Sequence, residues 1–167
     1  MIEMPFNPME KSTNLLPDGT NRMAGFTDFC IREGFKTVLE LGRDVGWGST
    51  YFILKSGVEL WSVDNSDENY LKNHAEVLDS IPTYHKILAD DTMPIPEIDG
   101  KIFDMVFLDT SHEYEHTKYE LRRYFPQAAK WFLVDDYHWS TETPALTEFS
   151  NAWQQMPFGN DIFGIRK

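Results

Sequence analysis

Apolar and polar positions change period several times along this chain, and each change marks an element. Over residues 21–33 apolar side chains recur at Met23, Phe26, Phe29, Cys30 and Ile31, a helical spacing closed by Gly34. Val38-Leu39-Glu40-Leu41 then runs without alternation, as a strand buried on both faces does. Three glycines punctuate the seven residues Gly42-Arg43-Asp44-Val45-Gly46-Trp47-Gly48, and a helical run follows over Ser49–Lys55. Further strands are predicted at 59–63, 85–88, Phe103–Leu108 and 131–134, with helical segments at 68–78, 114–125 and 143–155. In the 114–125 helix the expected inward residues are Tyr114, Leu121, Tyr124 and Phe125; in the 143–155 helix Thr143 is the expected N-cap and Pro144 the first helical residue. Residues 156–166 read as a hairpin turning near Gly159-Asn160. Pro5, Pro8, Pro17 and Gly19 leave residues 1–20 without periodicity, an N-terminal arm ahead of a single domain at 21–167. Five strands alternating with helices imply an α/β fold with a mostly parallel sheet covered on both faces.

Composition narrows the function classes. At 167 residues, with 41% hydrophobic and 14% aromatic content, the chain can bury a core without staples. Its one cysteine, Cys30, cannot form an internal disulfide, and no window approaches the ~18 apolar residues of a membrane span, so a cytoplasmic setting away from the membrane is expected. A net charge of −12 repels a phosphate backbone, which excludes nucleic acid as the expected partner.

The acids fall in a regular place. Glu40, Asp64, Asp90, Asp109 and Asp135 each follow an apolar run. Ligands of open parallel sheets bind outside the carboxyl ends of the strands, so five acids on that edge describe a site for a cation, for hydroxyls, or for both. The glycine turn alone leaves the ligand open. It lacks the lysine that a P-loop places before its Ser or Thr, since Gly48 precedes Ser49-Thr50. It also carries Asp44 where a dinucleotide fingerprint needs its second glycine, and a carboxylate there opposes a pyrophosphate.

The spacing E-x-G-x-x-x-G at Glu40, Gly42 and Gly46 resembles motif I of class I S-adenosylmethionine-dependent methyltransferases. Asp64, 22 residues after Gly42 and followed by Asn65, matches the acid that grips the ribose hydroxyls in that family. Asp90-Asp91-Thr92 is similar to its adenine-contacting segment, with Ala89 in place of the usual glycine, and Phe103-Asp104-Met105-Val106-Phe107-Leu108-Asp109 is similar to its F-D-x-[IV]-F-[IL]-D strand. A narrower resemblance lies in Asp109-Thr110-Ser111-His112-Glu113-Tyr114 and Val134-Asp135-Asp136-Tyr137, which look like the metal-dependent small-molecule O-methyltransferases with a D-x-x-H-x-Y signature.

The resemblance implies a Rossmann-like sandwich of about seven strands in the order 3-2-1-4-5-7-6, the last antiparallel. It implies methyl transfer from S-adenosylmethionine to a hydroxyl of a small molecule, helped by a divalent cation such as Mg²⁺. Glu40, Gly42, Gly46, Trp47, Ser49, Asp64, Asn65, Asp90, Asp91 and Asp109 would bind the cofactor. Asp109, Asp135 and Asp136 would hold the cation, as hard oxygen ligands suit Mg²⁺, and His112 would take the hydroxyl proton. Asp44, Ala89 and the absence of a Pro-Gly-Gly turn before the fifth strand depart from the family pattern. With no inserted lid, acceptor specificity falls to the arm, to the segment after Asp136 (where Tyr137, His138 and Trp139 are candidates), or to a neighbouring subunit of a homo-oligomer.

Other readings stay open. His112-Glu113-Tyr114-Glu115-His116 matches the zinc protease motif H-E-x-x-H, which must lie inside a helix. A catalytically silent methyltransferase-fold binding module and an NAD-linked oxidoreductase are the remaining alternatives.

Overall fold

Five strands of the computed structural model are parallel: β1 (Thr37–Leu41), β2 (Glu59–Asp64), β3 (Tyr84–Leu88), β4 (Phe103–Leu108) and β5 (Ala128–Val134). A hairpin of β6 (Gln154–Gln155) and β7 (Phe163–Arg166) completes the sheet, with β7 antiparallel to β5. The order is β3-β2-β1-β4-β5-β7-β6, the topology implied by the resemblance. The helices are α1 (Gly25–Glu33), α2 (Ser49–Lys55), α3 (Glu76–Asp79), α4 (Tyr114–Tyr124) and α5 (Thr143–Phe149). The structure describes residues 23–44, 46, 48–68, 70, 76–159 and 161–167. The expected arm at 1–20, the first two residues of the 21–33 helix, Trp47, most of the 68–78 helix and Asn160 of the hairpin turn lie outside them.

The strands read as continuous apolar runs because successive side chains feed two cores on opposite faces. Val38, Met105, Phe107, Trp131 and Leu133 face α1 and α2, meeting Phe26, Phe29, Ile53 and Leu54. Leu39, Leu41, Val106, Leu108, Phe132 and Val134 face α4 and α5, meeting Leu121, Tyr124 and Leu146. Gly34 ends α1 with a left-handed backbone, its amide reaching the carbonyls of Cys30 and Ile31.

Two helical expectations need correction. The helix predicted over 143–155 stops at Phe149: Ser150 is extended, and Gln154–Gln155 pairs with Gly164 and Phe163 as an edge strand. Its N-cap is Glu142, while the Thr143 hydroxyl donates to the carbonyls of Tyr137 and Trp139, at 2.7 and 3.0 Å. In α4 Leu121 and Tyr124 face inward as expected, Phe125 packs on the same core from the turn just past the helix, and Thr117 and Glu120 are buried with them. Tyr114 is only half-buried and gives its hydroxyl to Glu148, so a polar partner on α5 draws the ring outward.

Candidate functional site

The end of β1 is closed off from solvent. Glu40 is fully buried beneath the glycine turn and accepts hydrogen bonds from the hydroxyls of Ser49 (2.6 Å), Thr50 (2.7 Å) and Ser62 (2.6 Å). Burial pushes its carboxyl pKa up, and the three hydroxyls pull the other way. Register places Ser62 beside Glu40 across the β1–β2 pair, so the carboxylate fastens the start of α2 to two strands. The glycines of the turn are also set by the protein's own packing. A Cβ on Gly42, whose φ is +87°, would lie 1.7 Å from the Asp109 carbonyl oxygen, and one on Gly46 would meet the Tyr70 ring at 2.8 Å.

Asp64 organises the same turn. Its Oδ2 accepts the amides of Arg43 (2.8 Å) and Asp44 (3.0 Å), and its Oδ1 accepts the amide of Ser66 (2.9 Å). Asp44, the departure from the family pattern, has φ 46°, a left-handed backbone that Asp tolerates better than most residues. Arg43, which sequence reasoning overlooked, lies buried below the turn. It donates to the Ser62 carbonyl at 3.1 Å, pairs with Asp67, and sits 4.9 Å over the Tyr70 ring. A charged residue inside a glycine turn, with an acid after the next strand, was the available signal.

Above these strand ends lies a cleft of about 340 Å³. Gly42, Asp44, Asp64, Asn65, Ala89, Asp91, Asp109, Thr110, Ser111 and His116 line it, and among the described residues no Lys or Arg does. Of the sequence-predicted cofactor residues, Glu40, Gly46, Ser49 and Asp90 are not among its walls. Asp90 faces solvent and accepts the Thr92 amide and hydroxyl, which hold its carboxyl below the usual range. On the Asp91 side, His116 bridges Asp91 (3.1 Å) and buried Glu120 (3.5 Å), and Thr110 donates to Glu120 at 2.9 Å. Hydrogen bonding to Asp91 and Glu120 raises the His116 pKa to about 10, and burial pushes Glu120 up to about 8. Asp91 moves the other way: burial would raise it, but the His116 contact brings it below the usual carboxylate value. Among the described residues these three are the one His and carboxylate set whose ligand atoms all fall within 4.8 Å of one another.

The Asp109 side is built around His112. Its Nε2 lies 3.7 Å from both Asp109 Oδ1 and Asp136 Oδ2, and its Nδ1 is 2.9 Å from Glu142 Oε2. Burial lowers the imidazole pKa, but Glu142, Asp109 and Asp136 together outweigh it and raise the group. Burial raises the Glu142 pKa, against the pull of His112. The Trp139 ring stacks on the imidazole, with centroids 5.3 Å apart and planes 17° from parallel. Asp109 and Asp136 are partly exposed, whereas Asp135 is fully buried behind them. Asp109, Asp135 and Asp136 are thus spread wider than the Asp91 set. Their donor chemistry, hard oxygens at the ends of neighbouring strands, fits a divalent cation. His112 precedes α4, which opens at Tyr114, so H-E-x-x-H is not a helical motif here and its two histidines belong to separate networks. Tyr137 stacks on Phe163 at 4.1 Å and packs against the core.

Asp44, His112 and Asp136 are the described non-glycine residues with positive φ. All three sit just past the ends of β1, β4 and β5. Strained backbone gathered at one sheet edge is characteristic of a working site.

No family model matches the sequence, and no curated protein is significantly similar to it. Solved structures are similar in fold. An O-methyltransferase from Bacillus cereus in complex with SAH shares a TM-score of 0.69 at 12% identity, over 98% of this chain and 93% of that one. An SAH-bound methyltransferase from Podospora anserina gives 0.65 at 14% identity, over 96% and 86%. The O-methyltransferase involved in tomaymycin synthesis in Streptomyces achromogenes, in complex with SAM, gives 0.61 at 15% identity, over 96% and 88%. The chain has the fold of these methyltransferases.

Proposed function

We propose that the protein is an S-adenosylmethionine-dependent methyltransferase acting on a hydroxyl of a small molecule, with a divalent cation as helper. One observation carries the reading: among the described residues the cleft at the strand ends is walled by Asp44, Asp64, Asp91 and Asp109 and by no Lys or Arg, and its His116 is already paired with Asp91 and Glu120. That environment suits a cationic sulfonium nucleoside and disfavours the phosphates of NAD or a nucleoside triphosphate. When bound, S-adenosylmethionine would supply an electrophilic methyl carbon with the thioether of SAH as its leaving group, and a divalent cation would lower the pKa of the attacking hydroxyl.

The chain's own residues divide the remaining work. Glu40 acts at a distance by anchoring Ser49 and Thr50, which fixes the turn against which the methionine portion rests. Asp64, whose oxygens already accept the amides of Arg43, Asp44 and Ser66, offers its remaining acceptor position on Oδ1 to a ribose hydroxyl. Asn65 and Asp91 flank the purine end. Asp109, Asp135 and Asp136 are the residues that would hold the cation, and His112 accepts the hydroxyl proton at Nε2. Alignment of acceptor and donor in one cleft supplies most of the remaining acceleration.

Calorimetric titration of the full chain with S-adenosylmethionine and SAH, with and without MgCl₂, tests the proposal. Micromolar binding is the expected result, and no heat at millimolar cofactor refutes it. Binding without transfer to any hydroxyl acceptor would leave a catalytically silent module. Turnover unchanged in Asp136→Ala would remove the cation alone.

A further inference from the structure

His112 is held on three sides by one short segment, residues 139–142, ahead of α5. The Trp139 indole lies flat on the imidazole. The Thr141 hydroxyl donates to the His112 carbonyl at 2.6 Å, fixing a backbone that has φ 55°. Glu142, with a side chain only 4% exposed, meets Nδ1 at 2.9 Å. We propose that Glu142 is a positioning residue: it fixes the ring proton of His112 on Nδ1 and so keeps Nε2 as the atom presented between Asp109 and Asp136. The inference rests on the reading above, in which Nε2 accepts the acceptor's proton.

A neutral imidazole carries its proton on either nitrogen, and an ionised carboxylate only accepts. The tautomer protonated on Nε2 would set the Nδ1 lone pair against a carboxylate oxygen at 2.9 Å in a site nearly shut off from water. The Nδ1–H tautomer instead makes a charge-assisted hydrogen bond. Turning the ring over about its Cβ–Cγ bond would put the carbons Cδ2 and Cε1 where Nδ1 and Nε2 now lie, and this requires breaking both that bond and the stack on Trp139. When Nε2 gains a proton, the same carboxylate lies beside the imidazolium and stabilises it.

Long-range ¹H–¹⁵N spectra of the full chain, with the His112 ring assigned by its loss in His112→Gln, test this directly. The expected wild-type signature, at a pH where the ring is neutral, is a downfield proton on Nδ1 and none on Nε2. It should exchange about tenfold faster in Glu142→Gln, whose amide offers the ring a donor as readily as an acceptor. With pyrocatechol as acceptor probe and MgCl₂ present, the same variant should lose about 100-fold in kcat while KM for S-adenosylmethionine stays unchanged. A neutral wild-type ring protonated on Nε2 overturns the inference, and so does an Nδ1 proton unmoved in both Glu142→Gln and Glu142→Ala. The wild-type tautomer decides the matter even if both variants misfold. Failure of the wild type to bind cofactor refutes methyl transfer separately, because the tautomer is read without cofactor.

Discussion

The end of β1 and the ends of β4 and β5 both present carboxylates at the same sheet edge, yet they do opposite things. Glu40 is fully buried and surrounded by three neutral hydroxyl donors, so its oxygens are spent inside the fold. Asp109 and Asp136 remain partly open and face an imidazole across 3.7 Å, with room between them. An acid at a strand end therefore carries no role by itself. Exposure and the type of partner decide whether it is spent inside the fold or stays open to the cleft.

The contrast can be broken most sharply at Gly42, where the two regions touch. Gly42→Ala forces a Cβ into the Asp109 carbonyl at a φ of +87°, and a loss of roughly 4 kcal/mol in denaturant unfolding is expected. Glu40→Ala should come next. It leaves three buried hydroxyls without their acceptor, at about 3 kcal/mol in the same measurement, whereas Asp136→Ala at the open end should cost under ~1 kcal/mol. Equal losses from the two substitutions would erase the distinction between the buried and the open acids. His112→Gln should act chiefly on the chemistry: a fall of about 10²–10⁴-fold in transfer rate, checked by single-turnover kinetics.

The smallest effect lies on the cleft wall between the two ends. The folded-state pKa of His116 is raised from 6.5 to about 10, so its contribution is fully present below pH 6.5 and is lost as pH rises through about 10. Glu120, raised from 4.5 to about 8, loses its own share between those values. Both act in one direction, so stability should decline from about pH 5 to pH 10. His116→Gln should flatten the alkaline part of that decline in thermal melts.

Much of this was legible in the sequence because parallel strands buried on both faces write themselves as apolar runs. Phe103–Leu108 was delimited to the residue, and the acids after it marked the carboxyl edge of the sheet. Other features depended on long-range contacts that no local period records. Gln154–Gln155 is an edge strand only because β7 lies beside it, so a helical spacing ran through it unopposed. Glu120 reads as a solvent residue of α4 until Thr110 and His116 are seen to bury it. Glu142 lies 30 residues from His112 and belongs to no motif, yet it makes the shortest contact to that ring. Gly42 and Gly46 were placed correctly in the turn, but the bodies they admit are Asp109 and Tyr70 of the protein itself.

Trp139 has a consequence of an optical kind. Its indole is 53% exposed while stacked on His112, whereas Trp61 and Trp131 are buried in the two cores. A collisional quencher such as acrylamide therefore reaches Trp139 far more readily than either of those rings. The proposed base thus has a fluorophore lying on it, and whatever seats itself beside His112 should announce its arrival as a change in emission, with no label added.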